Sequence, residues 1–425
     1  MRIIATLLCL MALGTCRLAT ATEFSIYQSG YKPLQIAWAI DADTSMHIQS
    51  QQLHDIVEND LVSSQSFTAL NPLSFLDTAA DAWSLVQYDD WRLIGADVLA
   101  LCRLTPVAGG WKAEVQVHDP FRNKLLASSS FTAPSDGLRP LAHRISDFIY
   151  QTVLGIPGYF GSHILYVRKT GNRSELVYMD QDGANKQVVA RNFSILLSPD
   201  WSPDGSAVAL NTYIGDRPRL EIFNLHTGSR TTFANFQGLN STPAFSPDGR
   251  YIAATLSHRG EPGIYIYDLE TKTWRAFTHS SDSGSIDTSP TWSPDGKWIA
   301  FTSNRNGSPQ IYRKSLETGE VHRVSLVGSY NTSPAWSPRG DRIAMISLKN
   351  WEYAVTTVNV DGSDIRYLAT GKQVESPAWS PNGQMLIYDG KDQGLRRLYM
   401  VPSWGGQPQA VTPANEDASD PAWSR

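Results

Sequence analysis

Short apolar segments and polar turns alternate through the second half of the chain, and the alternation recurs at a nearly constant interval. Its most regular part is a phrase of the form Pro-Ala-Trp-Ser-Pro-Asp-Gly, whose third position is aromatic in every copy. The aromatic residues fall 44, 47, 44, 43 and 44 positions apart, at Trp201, Phe245, Trp292, Trp336, Trp379 and Trp423. Such a period is typical of β-propeller blades, so the pattern predicts six blades.

Each period contains the elements of one four-stranded blade. Ser-Pro-Asp-Gly suits a tight turn, because proline presets φ and glycine relieves the last position. A short apolar strand follows, such as residues 251–254, and then an aromatic-rich strand, such as residues 263–267. A second turn, a third strand and the phrase itself complete the four strands.

The two ends of the repeat predict how the ring closes. The first apolar strand, residues 164–167, has no phrase before it, and the last phrase, at Trp423, has no strand after it. Each end supplies what the other lacks. We therefore predict that the strand near the C-terminus completes the first blade, so that no long sheet edge stays open.

The segment 34–155 lacks the repeat and mixes α and β periodicity. Strands are predicted at residues 34–40, 96–104, 111–118 and 125–132, with a further extended segment at 24–27. Two helical faces are predicted by Ile48, Leu53, Ile56, Val57 and Leu61, and by Leu141, Ile145, Phe148, Ile149 and Val153. Gly155-Ile156-Pro157-Gly158 predicts a linker. The expected fold is two-domain, with an N-terminal mixed α/β domain at 34–155 followed by a C-terminal six-bladed β-propeller at 156–425.

The first residues have the pattern of an export signal. Arg2 precedes the apolar run 3–13, and Ala19-Thr20-Ala21 is a small-x-small cleavage site, which predicts a signal peptide at 1–21. The run is too short for a permanent anchor, so we expect no transmembrane span in the mature chain. The alternative is a lipoprotein site at Cys16, which the preceding Thr15 disfavours.

Composition disfavours some classes of function. The chain has 36 basic and 41 acidic residues, and a net charge of −5 argues against nucleic-acid binding, which needs a basic face. Without the signal, Cys102 is the single cysteine, so no intramolecular disulfide is expected. Its apolar neighbours in sequence predict a buried thiol rather than a nucleophile.

No motif for catalysis, cofactor binding or metal binding stands out. The chain lacks Gly-x-Ser-x-Gly, His-Glu-x-x-His, a P-loop and Gly-x-Gly-x-x-Gly. His47 and His54 are read as exposed polar residues, and the acidic turns 180–183 and 361–364 as hairpin turns rather than calcium loops. We therefore predict no enzyme, no cofactor and no metal site.

The segments just before each phrase are the best candidates for a binding surface. In a repeat protein, corresponding loops lie on one face, here around the mouth of the channel, and small polar residues there can bind a partner. The alternative is that these residues only stabilise turns. The candidates are Leu239, Asn240, Ser241, Thr242, Asp287, Thr288, Asn331, Thr332, Glu375, Ser376, Ser419 and Asp420.

These features together resemble the TolB family of the Tol-Pal system in Gram-negative envelopes. The resemblance rests on the signal, residues 23–30 followed by Pro33-Leu34-Gln35-Ile36-Ala37, the run from Asp90 to Asp97, the linker and the six phrases. The phrase alone is shared with propellers of tricorn-like and prolyl-oligopeptidase-like peptidases, whereas the order of parts is specific.

The resemblance implies a location and two partners. A periplasmic, monomeric, non-enzymatic hub is expected, which supports outer-membrane integrity and envelope constriction at cell division. The propeller mouth would bind the lipoprotein Pal, with Thr288 at a family interface position and Leu239 where many members have histidine. The extension 22–33 would bind the inner-membrane protein TolA through Thr22, Glu23, Phe24, Ser25, Ile26, Tyr27 and Gln28. Other outer-membrane proteins are further candidate partners. The alternative function is a propeller-containing periplasmic hydrolase, either a peptidase subunit or a glycosidase.

Overall fold

The computed structural model describes residues 32–278, 284–392 and 394–424. Its N-terminal part is an α/β region with one five-stranded sheet, ordered β2-β1-β3-β4-β5. Two 3-10 helices lie at Thr44–Met46 and Pro72–Ser74. The strands and α-helices described there are β1 (Leu34–Ala42), α1 (His47–Ser63), β2 (Phe67–Ala69), α2 (Ala79–Ser84), α3 (Tyr88–Leu93), β3 (Val98–Val107), β4 (Gly110–Asp119), β5 (Lys124–Pro134) and α4 (Leu138–Leu154).

Both faces of this sheet are packed, which follows from its near-continuous apolar central strands. One face of β1 and β3 presents Trp38 and Cys102 to the helices α1 and α4. The other face presents Ala37 and Leu99 to α2 and α3, where Trp91 is buried. Cys102 is buried as predicted, and burial raises the pKa of its thiol.

The C-terminal part is a six-bladed β-propeller, as the repeat predicts. Each blade is a four-stranded antiparallel sheet among the described residues. The first blade contains β29 (Asp417–Trp423), β6 (His163–Thr170), β7 (Arg173–Asp180) and β8 (Gln187–Phe193). The second contains β9 (Leu196–Trp201), β10 (Ala207–Ile214), β11 (Arg217–Asn224) and β12 (Arg230–Ala234). The third contains β13 (Asn240–Phe245), β14 (Tyr251–Leu256), β15 (Gly263–Asp268) and β16 (Thr273–Ala276).

The other three blades have the same order, and each begins with the strand of the phrase. The fourth blade contains β17 (Asp287–Trp292), β18 (Trp298–Ser303), β19 (Gln310–Ser315) and β20 (Val321–Arg323). The fifth contains β21 (Asn331–Trp336), β22 (Arg342–Lys349), β23 (Glu352–Asn359) and β24 (Arg366–Gly371). The sixth contains β25 (Val374–Trp379), β26 (Met385–Asp392), β27 (Leu395–Pro402) and β28 (Gln409–Ala410).

The predicted closure of the ring is confirmed. Strand β29 pairs antiparallel with β6, so the C-terminal phrase supplies the inner strand of the first blade. The Trp423 Nε1 donates to Ser162 Oγ at 2.7 Å, and the His163 amide donates to Ser424 Oγ at 2.9 Å. These side-chain bonds fix the last strand to the start of the first one.

The aromatic residues of the phrase pack between blades, as expected of a residue that recurs once per blade. The indole of Trp292 donates to the Ala244 carbonyl at 3.0 Å, and that of Trp379 donates to the Ala335 carbonyl at 2.9 Å. Trp201 makes the same bond to Ala422 at 3.1 Å. Each of these bonds joins the inner strand of one blade to the inner strand of the preceding blade.

A buried polar network joins the α/β region to the propeller. Asp60 of α1 is fully buried, and its carboxylate lies 2.8 Å from His143 Nδ1 and accepts from Ser146 Oγ at 2.8 Å. Gln181, from the turn after β7, donates to the other carboxylate oxygen at 3.1 Å. Arg139, which lies in α4 with His143 and Ser146, donates to Asp180 at 2.7 Å. The two parts of the chain therefore meet through hydrogen bonds as well as apolar contacts.

The predicted strands and helices of the α/β region are present, with ends that differ by a few residues. The short elements β2, α2 and α3 were absent from the sequence prediction. Each of these helices has only six residues, fewer than two turns, so helical periodicity cannot show in them. Among the described residues, no helix is both long and apolar enough to cross a bilayer. The signal peptide 1–21 and the segment 24–27 lie outside the described residues, and the domain limits stay predictions.

Candidate binding face

The six phrase strands line a central channel. Strands β9, β13, β17, β21, β25 and β29 are the innermost strands of their blades and neighbour one another around the axis. They enclose a cavity of about 570 Å³. Its wall contains a small polar residue and the following proline from all six phrases, and the aromatic residue two positions further on from five of them.

The small polar position has an unusual backbone in every blade. All six residues have positive φ, between 47° and 54°, at Ser198, Thr242, Ser289, Ser333, Ser376 and Asp420. At the same place the pairing of each inner strand with its neighbour shifts register, which marks a β-bulge. Left-handed backbone at a non-glycine residue costs about 1–2 kcal/mol, and such strain is typical of functional sites.

Side chains of the preceding blade hold several of these bulges. The Ser289 amide donates to Thr255 Oγ1 at 3.1 Å, and the Ser333 amide donates to Thr302 Oγ1 at 3.2 Å. The Ser198 amide donates to the Asp420 carboxylate at 3.2 Å. The bulged ring is therefore bonded from blade to blade, which keeps the mouth of the channel rigid.

The last blade departs from this pattern by placing an acidic cluster at the channel. Asp389 of β26 takes the position of Thr255 and Thr302, and the Asp420 amide donates to it at 3.3 Å. Arg396 forms ion pairs with Asp389 and with Glu375. Burial, with a further contribution from the Asp420 carboxylate, raises the pKa of Asp389 to about 7.

The mouth end of the channel can be identified from the strand pairing. In each blade the inner strand starts at the same end as the hairpin between the second and third strands, because the sheet is antiparallel. The pairs Thr212 with Leu196 and Ile214 with Arg217 show this for the second blade. The Ser-Pro-Asp-Gly turns lie at the opposite end.

Exposed apolar residues of the propeller concentrate at the mouth end. Ile195, Leu197 and Ile286 lie at the starts of inner strands, and Ile214 and Trp351 lie at hairpins of the same end. None of the large hydrophobic residues exposed in the described part of the chain lies in a Ser-Pro-x-Gly turn. Patches of exposed apolar residues commonly mark protein-binding surfaces.

The structure brings the predicted mouth residues together at one end, but three of them have buried side chains. Asn240, Asp287 and Asn331 occupy the first position of their inner strands and are fully buried. Asn331 Nδ2 donates to Gln310 Oε1 at 2.8 Å, and Asp287 pairs with Arg305 at 3.3 Å. These side chains hold the loops, and a partner contact for them stays a prediction.

The other predicted residues keep accessible surface at the mouth. Glu375 is exposed and the rest are half-buried, namely Leu239, Ser241, Thr242, Thr288, Thr332, Ser376, Ser419 and Asp420. The predicted TolA-binding residues Thr22 to Gln28 lie outside the described residues. The acidic turn at Asp180 is a hairpin turn in which Arg139 and Asn185 donate to the carboxylate.

Sequence reasoning did not select four members of this face. Ser198, Ser289 and Ser333 belong to the strained ring, although Ser289 and Ser333 lie in the predicted segments before their phrases. The recurring order of a small polar residue, proline, any residue and an aromatic residue could have identified all three. Trp351 lies between two phrases, outside the repeated motif. The sequence feature that marks it is the pair Asn350-Trp351, at a place where the hairpins of the other five blades carry a glycine, namely Gly171, Gly215, Gly260, Gly307 and Gly394.

Comparisons with known proteins agree with this architecture. The family described as TolB beta propeller domain matches residues 150–425, and the TolB amino-terminal domain matches residues 23–126. The crystal structure of TolB from Acinetobacter baumannii superposes with a TM-score of 0.84 at 30% identity, covering 92% of this chain and 97% of that one.

Curated relatives align over a shorter part. Tol-Pal system protein TolB of Bordetella parapertussis is 35% identical over 49% of this chain and 46% of its own length. That of Albidiferax ferrireducens is 34% identical over 55% of each chain. The chain thus spans about half the length of the curated relatives it matches. Because the propeller family match covers most of the chain and the amino-terminal family match precedes it, the chain belongs to the TolB family.

Proposed function

We propose that this protein is a non-enzymatic interaction hub of the Tol-Pal system in the periplasm. Its propeller mouth binds a Pal-like peptidoglycan-associated lipoprotein, and residues 22–28 bind a TolA-like inner-membrane protein. Through these contacts it supports outer-membrane integrity and envelope constriction at cell division. Family membership supports the assignment to the system and the choice of both partners, and the mouth face supports the contact with the Pal-like protein.

One observation carries the proposal for the mouth. The six left-handed residues lie at the same end of one channel as the exposed apolar residues Ile195, Leu197, Ile214, Ile286 and Trp351. Each feature is costly without a partner, because strained backbone and exposed apolar surface both raise the free energy of the unbound protein. A protein that covers this end would bury the apolar residues against a surface already fixed by blade-to-blade bonds.

The alternative of a hydrolase is less well supported by the channel. Asp200 and Asp420 are the carboxylates that line it among the described residues. Asp200 accepts from the Phe245 amide at 2.7 Å, and Asp420 accepts from the Ser198 amide at 3.2 Å. Both groups therefore join neighbouring blades. A glycosidase needs one carboxylic acid and a second carboxylate placed across a bound sugar, and these bonds tie each group to the wall instead.

A pull-down with matched variants tests the proposal. The mature chain should retain a soluble Pal-like protein, and Thr332→Arg at the mouth should abolish retention because the larger side chain prevents close contact. Thr271→Arg, in an exposed turn of the third blade away from the mouth, is the control and should bind normally. Loss of residues 22–28 should abolish retention of a TolA-like domain only. A folded wild-type chain that retains neither protein would contradict the proposal.

A further inference from the structure

Trp351 is placed where it contributes little to the fold. It lies in the two-residue turn between β22 and β23, and its side chain is 94% exposed. Asn350 and Trp351 have φ values of 50° and 67°, so both adopt the left-handed conformation that favours glycine. The turn therefore contains a tryptophan with a strained backbone and a solvent-exposed indole.

The hairpin that carries Trp351 projects at the mouth end. Asn331, the first residue of the inner strand, pairs with Ser347 of β22. The hairpin extends two residues beyond that point, to the pair of Lys349 with Glu352. The Leu348 amide donates to the Tyr330 carbonyl at 3.0 Å and fixes the hairpin to the loop that enters the blade. Trp351 thus lies beyond the start of the inner strand, at the end where Ile214 and Ile286 are exposed.

The same hairpins form a basic rim. Each hairpin between the second and third strands carries a lysine or arginine, whereas the whole chain has a net charge of −5. The basic residues are Lys169, Arg173, Arg217, Arg259, Arg305, Lys349 and Lys391. Four of the same hairpins also carry an acidic residue, at Asp216, Glu261, Glu352 and Asp392, so basic residues outnumber acidic ones seven to four there. The Ser-Pro-x-Gly turns at the opposite end carry Asp204, Asp248, Asp295 and Asp341 together with Arg250, Lys297 and Arg339. The mouth hairpins therefore have an excess of basic residues that the opposite turns lack.

We propose that the protein bound at the mouth has an acidic surface and an apolar pocket that receives the Trp351 indole. This inference rests on the proposed function and specifies the chemistry of the partner. Tryptophan is enriched among residues that dominate binding energy, and complementary charge around it speeds association. Ile214, Ile286 and Trp351 belong to three different blades, so a folded partner that spans the mouth fits them better than a short peptide.

A membrane surface fits these residues less well. Asp216 follows Ile214 by two residues and Glu352 follows Trp351 directly, so both carboxylates would be carried to an anionic bilayer with the apolar side chains. Lipid-binding segments instead surround their apolar residues with basic ones. A folded acidic protein carries its charges at fixed positions, so its carboxylates can lie away from Asp216 and Glu352.

Calorimetric titration of the mature chain with a Pal-like protein tests the role of Trp351. Trp351→Gly should leave the melting temperature unchanged or raise it, since glycine accepts the left-handed backbone, and should weaken binding at least about tenfold. Leu73→Ala, at an equally exposed residue of the α/β region, is the control and should bind as wild type. Equal affinity for Trp351→Gly would overturn this inference alone, whereas no binding by wild type would overturn the proposed function as well.

Salt dependence tests the basic rim. Wild-type affinity should fall when NaCl rises from about 50 to about 300 mM, and a variant with Lys169, Arg217, Arg259 and Lys391 changed to glutamine should lose most of that dependence. Changing Lys272 and Lys297, in turns away from the mouth, should leave it intact. An unchanged salt dependence would overturn the acidic partner. Trp351-dependent sedimentation with anionic phospholipid vesicles, or Trp351-dependent self-association in light scattering, would overturn the folded acidic partner.

Discussion

Asp389 shows how a single residue distinguishes one blade from the others. Its equivalents Thr255 and Thr302 are neutral and hold the bulge of the next blade by a hydroxyl group. A carboxylate performs the same task in the last blade, but it is buried, close to Asp420 and paired with Arg396. The ionised form is therefore costly in the folded state.

The raised pKa of Asp389 predicts a pH-dependent stability. Its folded pKa of about 7 exceeds the unfolded value near 4, so its contribution to stability is full at low pH and decreases as pH rises through 7. Between about pH 6 and 8, wild type should lose about 1.4 kcal/mol of unfolding free energy that Asp389→Asn does not lose. Chemical denaturation at several pH values measures this, and parallel curves for the two proteins would contradict it.

At the residue scale, sequence predicted the roles of the aromatic residues better than those of the polar ones. An aromatic residue that recurs once per blade has to pack between blades, and the indole bonds of Trp292 and Trp379 agree with this. The burial of Asn240 and Asp287 could not be predicted, because the bulge next to them breaks the alternation of inward and outward side chains. The direction of a polar side chain next to a β-bulge therefore follows from the three-dimensional structure and not from the sequence pattern.

At the scale of the element, the closing strand β29 has the largest expected effect on stability. It supplies the inner strand of the first blade, and Trp423 packs against Tyr159 with ring centroids 5.7 Å apart. The sequence predicted this closure because the repeat was incomplete at both ends. The short helices α2 and α3 could not be predicted in the same way, since six residues carry too little periodicity.

Removal of residues 421–425 should therefore lower the melting temperature sharply. The deletion exposes the edge of β6 and removes the buried indole of Trp423, whose loss alone costs about 3–5 kcal/mol. Calorimetry compares the truncated and complete mature chains, with Trp351→Gly as a control that changes an exposed residue of the propeller. An unchanged melting temperature would show that the ring does not depend on this strand.

At the scale of the whole molecule, the polar network around Asp60 joins the two parts of the chain. Sequence predicted the order of the α/β region and the propeller. It could not predict this contact, because Arg139, His143 and Ser146 form a polar stripe on α4 that resembles a solvated face until the turn at Gln181 covers it. The partner of each group is more than 40 residues away.

Loss of His143 should destabilise this contact strongly. His143→Leu leaves the buried Asp60 carboxylate without its nearest cation, at a cost of about 3 kcal/mol. Despite the opposing effect of burial, Asp60 raises the pKa of His143, so the stability that the protonated imidazole adds is lost as pH rises through this raised pKa. His322→Leu, at an exposed residue, is the control and should change the unfolding free energy by less than about 0.5 kcal/mol. Equal effects of the two substitutions in denaturant titrations would contradict the assigned role of His143.

The central claim is that the mouth end of the propeller is the binding face for the Pal-like partner. Hydrogen–deuterium exchange of the mature chain with and without that protein tests it most directly, because the two ends of the disc carry separate peptides. We predict slower exchange on binding in the loops before β13, β17, β21 and β25 and in the β22–β23 hairpin, with no change in the Ser-Pro-x-Gly turns. Protection confined to those turns or to the α/β region would contradict the claim.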